Sequence, residues 1–492
     1  MIKKTVRFAA LPLGLVLALG ISAPPPPAYT QIVRLEQARS LGNGRLAVFL
    51  SSKDRSVALR AALAIGRTKQ TAGLAPLRRY VRDRDVAMRA MAVYAVGLIG
   101  TSAAAPAILE GLHDTSGTVL VSALDAADRL ETAHAFNPRQ EGKAAQRVIA
   151  LLHSRAPVVR ARAASTLESF HGSREERAAV RALTHAYLHE RDAFVRWHLM
   201  WTLFRGYSNS APESMLARGL KDPDEIVRIE AARAFGKRGD ASAVTLLRPL
   251  LGDRSWRVQE QARESIIVLQ GGKMTEHLTQ IPQGVHTPAP QPDRLAYLPA
   301  LARAPVSGKP GVPQAAGVIT QPRLNPQSVA LFTGPAKGPH PRVRIVTTEG
   351  NIYVELYPEW APLTVENFLN LTNRGYYDNN RWFRIVPDFV VQTGDPTNTG
   401  NGDAGYMIPA EENPIEQDSY VISMGLNYTN PPNAHAIRDS AGTQFYITLS
   451  PQLHLDRDFT VFGKVIGGYD VLGRLIEKDT IVRIERIPDT KS

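Results

Sequence analysis

The chain has 492 residues, with 58 Lys and Arg against 46 Asp and Glu, a formal charge of +12 at neutral pH. Its 44% hydrophobic and 21% charged content suits packed cores, about two to four at this length, and excludes a disordered tail or a collagen-like fibre. There is no cysteine, which excludes disulfides, thiolate metal sites, cysteine nucleophiles and a lipoprotein anchor. The charge is uneven: residues 31–271 carry 36 basic and 24 acidic groups, whereas residues 342–492 carry 13 and 20.

Lys3, Lys4 and Arg7 open the chain, and an apolar run from Phe8 to Ile21 follows, stopped by Pro24–Pro27. A charged start before a short hydrophobic segment predicts a secretory signal over residues 1–28, cleaved or kept as an anchor. The expected location is the periplasm or the cell envelope. The run is short for a membrane span, which needs about 20 apolar residues.

From 31 to 271 a pattern recurs seven times, beginning at Leu50, Val81, Leu112, Leu152, Leu188, Leu220 and Leu251. Each copy has an apolar residue, a polar turn holding Asp or Arg, and an Ala/Arg-rich stretch such as LKDPDEIVRIEAARAFG. In that copy Ile226, Val227, Ile229, Ala231, Ala234 and Phe235 fall near helical spacing, and Asp222 and Asp224 stand where carboxylates cap a helix. A helical period of roughly 30–45 residues predicts an α-solenoid, whose hairpins bury their faces only by stacking. The copies resemble HEAT repeats of the short bacterial kind related to phycobilisome-lyase repeats. That resemblance implies an architecture and an unknown protein partner; a pigment-lyase activity would need an attachment site that is not found. The arginines either hold an acidic or extended polypeptide or pair with carboxylates of the next turn. An export signal argues against nucleic acid. His185 and His189 lie four apart, but without a third ligand they predict no metal site.

Residues 272–341 contain 13 prolines, which rules out a regular helix or central strand and predicts an extended tether. Beyond it, Val343–Thr347 alternates like a strand, Glu349-Gly350-Asn351 marks a turn, and Ile352–Tyr357 returns. Pro362–Leu371 has helical spacing, and further short strands follow between Gly/Asn/Pro loops. These elements suit a closed β-barrel with a helix over one end.

The stretches FRIVPDFVVQTGDP, SAGTQFYI and FTVFGKV, in that order within 342–489, resemble the cyclophilin family of peptidyl-prolyl cis/trans isomerases. The resemblance implies an eight-stranded antiparallel barrel capped by two helices, so that the whole chain is an all-α HEAT-like solenoid followed by an all-β barrel. It implies a catalytic arginine at Arg384 and a substrate-orienting glutamine at Gln392. Phe389 matches the floor of the proline pocket, Leu455 the pocket leucine, and Gly425 and Leu426 the loop that meets the residue before proline. Val390 stands where the family has methionine, Tyr446 where it has phenylalanine, Phe459 where histidine is usual, and His454 where tryptophan is usual.

The chemistry such a site must perform is simple. An X–Pro bond turns against a barrier of about 18–20 kcal/mol set by amide conjugation, over tens to hundreds of seconds uncatalysed. No covalent bond is made or broken, so the reaction calls for no cofactor, metal or nucleophile. A slot for the ring and a fixed cation at the nitrogen suffice, provided they act more strongly on the twisted state. The expected function is isomerisation of exported clients, with the solenoid binding client or partner. Phe459 and His454 leave room for a second reading, a proline-peptide-binding scaffold of the envelope that does not catalyse.

Overall fold

A computed structural model describes residues 27–272, 340–428 and 436–487. The expected signal before residue 27 and the tether between 273 and 339 lie outside the described residues.

The seven repeats each contribute one long helix: Arg55–Arg67, Val86–Ile99, Gly117–Thr132, Pro157–Leu167, Ala193–Tyr207, Glu225–Arg238 and Trp256–Leu269. Each packs on the next, and shorter helices form the other row. Of the two aspartates expected to cap the helix from Glu225, Asp224 does so, whereas Asp222 is turned to Arg196 and the Tyr187 hydroxyl. Asp54, Asp85, Asp192 and Asp224 each accept hydrogen bonds from two free N–H groups of the first turn. Each such cap stabilises its helix by about 1 kcal/mol. Small residues set the spacing: a Cβ on Gly97 would stand 2.5 Å from the Cβ of Ala126, and one on Gly66 would stand 2.7 Å from the Cα of Ala95. The backbones of successive helices therefore meet directly.

The arginines divide into two sets. Arg89–Asp114 (2.7 Å), Arg160–Glu190 (2.7 Å), Arg196–Asp222 (2.9 Å) and Arg228–Asp253 (2.8 Å) tie each repeat to the next. Arg67, Arg129, Arg162, Arg233 and Arg257 instead reach across to the C-terminal domain.

That domain is one sheet of eight antiparallel strands: β1 Arg342–Thr347, β2 Gly350–Leu356, β3 Arg384–Val386, β4 Val390–Thr393, β5 Val421–Met424, β6 Phe445–Thr448, β7 Val461–Gly467 and β8 Ile481–Ile487. The spatial order is β3-β4-β6-β5-β7-β2-β1-β8. The segment before β3 closes the ring onto β8 through the Arg381–Thr480 bridge and the bond from Asn379 N–H to the Ile481 carbonyl (2.7 Å). Closure removes the exposed sheet edges. Phe368 from the helix Pro362–Asn373 packs against Tyr377, Phe445 and Phe462 at ring separations of 5.3–5.5 Å. The second capping helix, Tyr469–Leu472, is a single turn. At the mouth of the tether, His340 is clamped between Glu355 (3.0 Å) and Glu359 (2.8 Å).

The barrel lies against the row of long helices. Tyr357, Trp360, Leu363, Ile415, Val421, Leu453 and Val461 belong to the same buried apolar cluster as the solenoid core. Around that contact Arg67 donates to the carbonyls of Trp360 (2.6 Å) and Glu412 (2.8 Å), Arg162 meets Glu416 (2.9 Å), and Arg457 of the barrel meets Asp128 (2.7 Å). The opposite charges of the two halves thus face each other, and the acidic polypeptide on the arginine face is the chain's own barrel.

Candidate active site

The site grows from one hairpin. β3 and β4 pair so that Arg384 stands opposite Gln392, and β4 and β6 pair so that Gln392 stands opposite Tyr446. Alternation along strands sends these three side chains to the same face. The hairpin turn, Pro387-Asp388-Phe389, needs one residue in the left-handed region. Asp388 takes it at φ 59°, and aspartate tolerates that conformation better than most side chains.

The face opens on a cavity of about 740 Å³ lined by all ten residues singled out above: Arg384, Phe389, Val390, Gln392, Gly425, Leu426, Tyr446, His454, Leu455 and Phe459. Val390, Tyr446 and Leu455 form a separate small apolar cluster, with Phe389 and Phe459 packed on it. Phe459 meets Tyr446 edge to face at 5.7 Å and so supplies an aromatic wall where histidine is usual. His454 lies parallel to Phe389 at 5.7 Å, which puts a flat ring where the indole of the family would be. These side chains give the cavity one apolar, mostly aromatic wall against which a small ring can pack.

Arg384 sits at the rim, its guanidinium carbon 5.3 Å from the centre of the Phe389 ring. Burial pulls its pKa below the ordinary arginine value, and Tyr428 pushes the other way. Arginine remains a cation at neutral pH all the same. One N–H points to Gln392 Oε1 (3.4 Å). Gln392 in turn donates to Gln444 Oε1 (3.1 Å), and the Gln444 amide donates to the carbonyls of Gly400 and Gly402, both at 3.0 Å. This chain fixes which end of each amide is which: two carbonyls at its end leave Gln444 only its oxygen to offer Gln392, and Gln392 only its oxygen to offer Arg384.

The chain is anchored by Asp395. Its carboxylate accepts from the N–H groups of Thr397 (2.7 Å), Thr399 (2.9 Å) and Gly400 (2.5 Å). Burial would raise its pKa, but these bonds, the Thr397 hydroxyl foremost, hold it at about 2. Gly402 is required at this turn, because a Cβ there would lie 1.9 Å from Asp395 Oδ1.

Sequence reasoning passed over Gln444 and Tyr428, which also line the cavity. A signal for Gln444 existed: it lies two residues before Tyr446 and so faces the same way. The grip on the hairpin from outside had none. Asp388 is held by Arg257 (Nε, 2.6 Å) and Arg233 (3.3 Å), both from the solenoid. His185 and His189 stack at 4.3 Å, far in sequence from the site, and no group of three or more potential metal ligands occurs among the described residues.

A slot for a pyrrolidine ring beside a cation held by an amide can isomerise an imide. Arg384 has further N–H groups to offer a nitrogen whose lone pair is released as the bond twists. That interaction is absent from the planar ground state, which is what makes it catalytic.

Comparison with known proteins agrees. Residues 342–488 match the family described as cyclophilin type peptidyl-prolyl cis-trans isomerase/CLD, and residues 43–128 and 205–279 match HEAT repeats. Peptidyl-prolyl cis-trans isomerase B of Bacillus subtilis is 42% identical over 142 residues, 28% of this chain and 93% of its own length. Peptidyl-prolyl cis-trans isomerase CYP18-2 of Arabidopsis thaliana is 41% identical over 139 residues, 28% of this chain and 82% of its own length. The human peptidyl-prolyl cis-trans isomerase-like 1 is 36% identical over 151 residues, 31% of this chain and 89% of its own length. With its barrel, its slot and its arginine accounted for, the chain belongs to the cyclophilin-type peptidyl-prolyl cis-trans isomerases, here joined to a HEAT-repeat solenoid.

Proposed function

We propose that the protein is an exported isomerase that turns X–Pro bonds in clients outside the cytoplasm, with the solenoid as the scaffold that holds barrel and client together. The observation that carries the catalytic part is the placement of Arg384 beside the apolar slot, oriented through Gln392. Export is supported by Lys3, Lys4 and Arg7 ahead of the apolar run 8–21. The scaffold role is supported by the HEAT match and by a barrel that already occupies part of the arginine face. A membrane enters only through the first segment, if it stays uncleaved.

The test uses the full-length protein and a proline peptide followed by exchange spectroscopy. Isomerisation above background is expected, and Arg384→Ala should lower kcat/KM by about 10²–10³, as for other preorganised donors at a developing charge. Peptide binding without acceleration would instead support the non-catalytic scaffold, the reading that Phe459 and His454 keep open. Fractionation and N-terminal sequencing of the cellular protein test export: an intact chain in the cytoplasm would end that part of the reading.

A further inference from the structure

A second cleft, of about 490 Å³, lies between the two domains and shares one wall with the proline slot, the side chain of His454. From the solenoid it is lined by Lys69, Arg129 and Arg205, and from the barrel by Arg438 and Arg457. Facing these five cations are three acids, Glu168, Asp456 and Asp458.

The cations are short of counter-charge. Lys69 and Arg438 have one buried carboxylate between them, Glu412, and share it with Arg129, which also pairs with Asp125 (2.9 Å); Lys69 and Arg129 meet the same Glu412 oxygen at 2.9 and 2.8 Å. Asp456 is turned toward Arg162 (3.7 Å), and Arg457 is spent on Asp128. Arg205 has no ion pair among the described residues, and its buried Nε has no hydrogen-bond partner. Burial first, then the crowding by Arg438, Arg129 and Arg39, push the Lys69 ammonium down to about 6. Lys69 is then largely neutral at pH 7, which marks the positive potential set up by the arginines, and an anion entering the cleft meets Arg205 and Arg438.

We infer that this cleft is a carboxylate-binding subsite, which takes an acidic side chain flanking the proline seated in the slot next door. The inference rests on the isomerase reading and adds a substrate preference to it. The shared wall decides the source of the anion. A ligand bound at once on both sides of His454 is most simply one polypeptide. The chain's own tether is a poor occupant, since residues 272–341 carry six basic and two acidic groups.

The test compares two proline peptides, identical except for Glu or Gln at positions within about four residues of the proline on either side. Dissociation constants come from fluorescence anisotropy with full-length protein, and isomerisation from exchange spectroscopy in the same samples. The Glu peptide is expected to bind three- to tenfold tighter at low salt, an advantage of roughly the size of one charge-assisted hydrogen bond. The advantage should shrink at 0.5 M salt. Arg205→Gln should abolish most of it and leave binding and turnover of the Gln peptide as they were. Equal affinities for the two peptides in the wild-type protein would overturn the subsite, as would discrimination that survives Arg205→Gln. Turnover of the Gln peptide without charge discrimination removes this inference alone, whereas discrimination without turnover removes the enzyme reading and leaves the subsite standing.

Discussion

Arg384 is useful because other side chains decide where it points. Its partner Gln392 is fixed by Gln444, and Gln444 by the two glycine carbonyls of the loop that Asp395 organises. Cutting that chain one link away from the cation should therefore be felt in rate before affinity. Gln444→Ala is expected to lower kcat severalfold to about tenfold with KM little changed, measured beside an unaltered melting curve. Arg384, Gln392 and Phe389 were legible in the sequence, because they stand at fixed offsets in one long motif. Gln444 was passed over although its spacing from Tyr446 puts it on the same face; what no spacing reveals is the pair of loop carbonyls that fixes its amide. A second residue whose state was hidden is His340. Burial would lower its pKa, but Glu355 and Glu359 outweigh it and raise it to about 9. A folded pKa above the unfolded value of about 6.5 means the stabilisation is complete below that value and is lost as pH rises through about 9. Thermal scans from pH 5 to 10 should show stability falling between about 6.5 and about 9 and levelling off above, and His340→Gln should flatten that fall.

The helices and strands were more legible than the side-chain network. Seven copies of one pattern announced seven long helices, four of them capped by aspartate, and period-2 stretches announced the first hairpin of the barrel. The repeat register separates the arginines: Arg89, Arg160, Arg196 and Arg228 each stand eight residues after their copy's opening residue and pair with the next copy, whereas Arg257 stands six after Leu251, on another face of its helix, and meets the barrel. What the repeats did not reveal is that the barrel covers that face. The resemblance promised two capping helices, and the second shrinks to one turn, Tyr469–Leu472, because Gly468 and Gly473 bound it. The stacking itself is unforgiving. Gly97→Val would drive a branched side chain into Ala126, so the solenoid should lose about 1–3 kcal/mol in a denaturant titration. The barrel's fluorescence transition should shift with it, because the two share an apolar cluster.

At the scale of the whole molecule, the two domains behave as one body joined by charge and by grease. Surface attraction between a basic and an acidic half would fade at high salt, but most pairs here are largely buried and bordered by Trp360 and Leu453. The strongest single link is Asp388, shared by Arg233 and Arg257. Asp388→Asn leaves buried Arg257 with Glu225 and part-exposed Arg233 with Glu230 as their remaining carboxylates, and should cost about 1–3 kcal/mol of docking. Hydrogen exchange should then show faster opening along β3 and β4, with slower catalysis, since the same hairpin carries Arg384 and Gln392.

One further consequence follows from the order in which the parts are strung. A ribosome finishes the arginine-lined helices first, then spends several seconds on the roughly seventy residues up to His340 before any barrel strand emerges. During that interval the nascent protein displays Arg162, and whatever Glu36 and Asp125 leave uncovered of Arg67 and Arg129, beside a bare greasy strip. Products truncated before the barrel should therefore bind polyanions more tightly than the finished protein does.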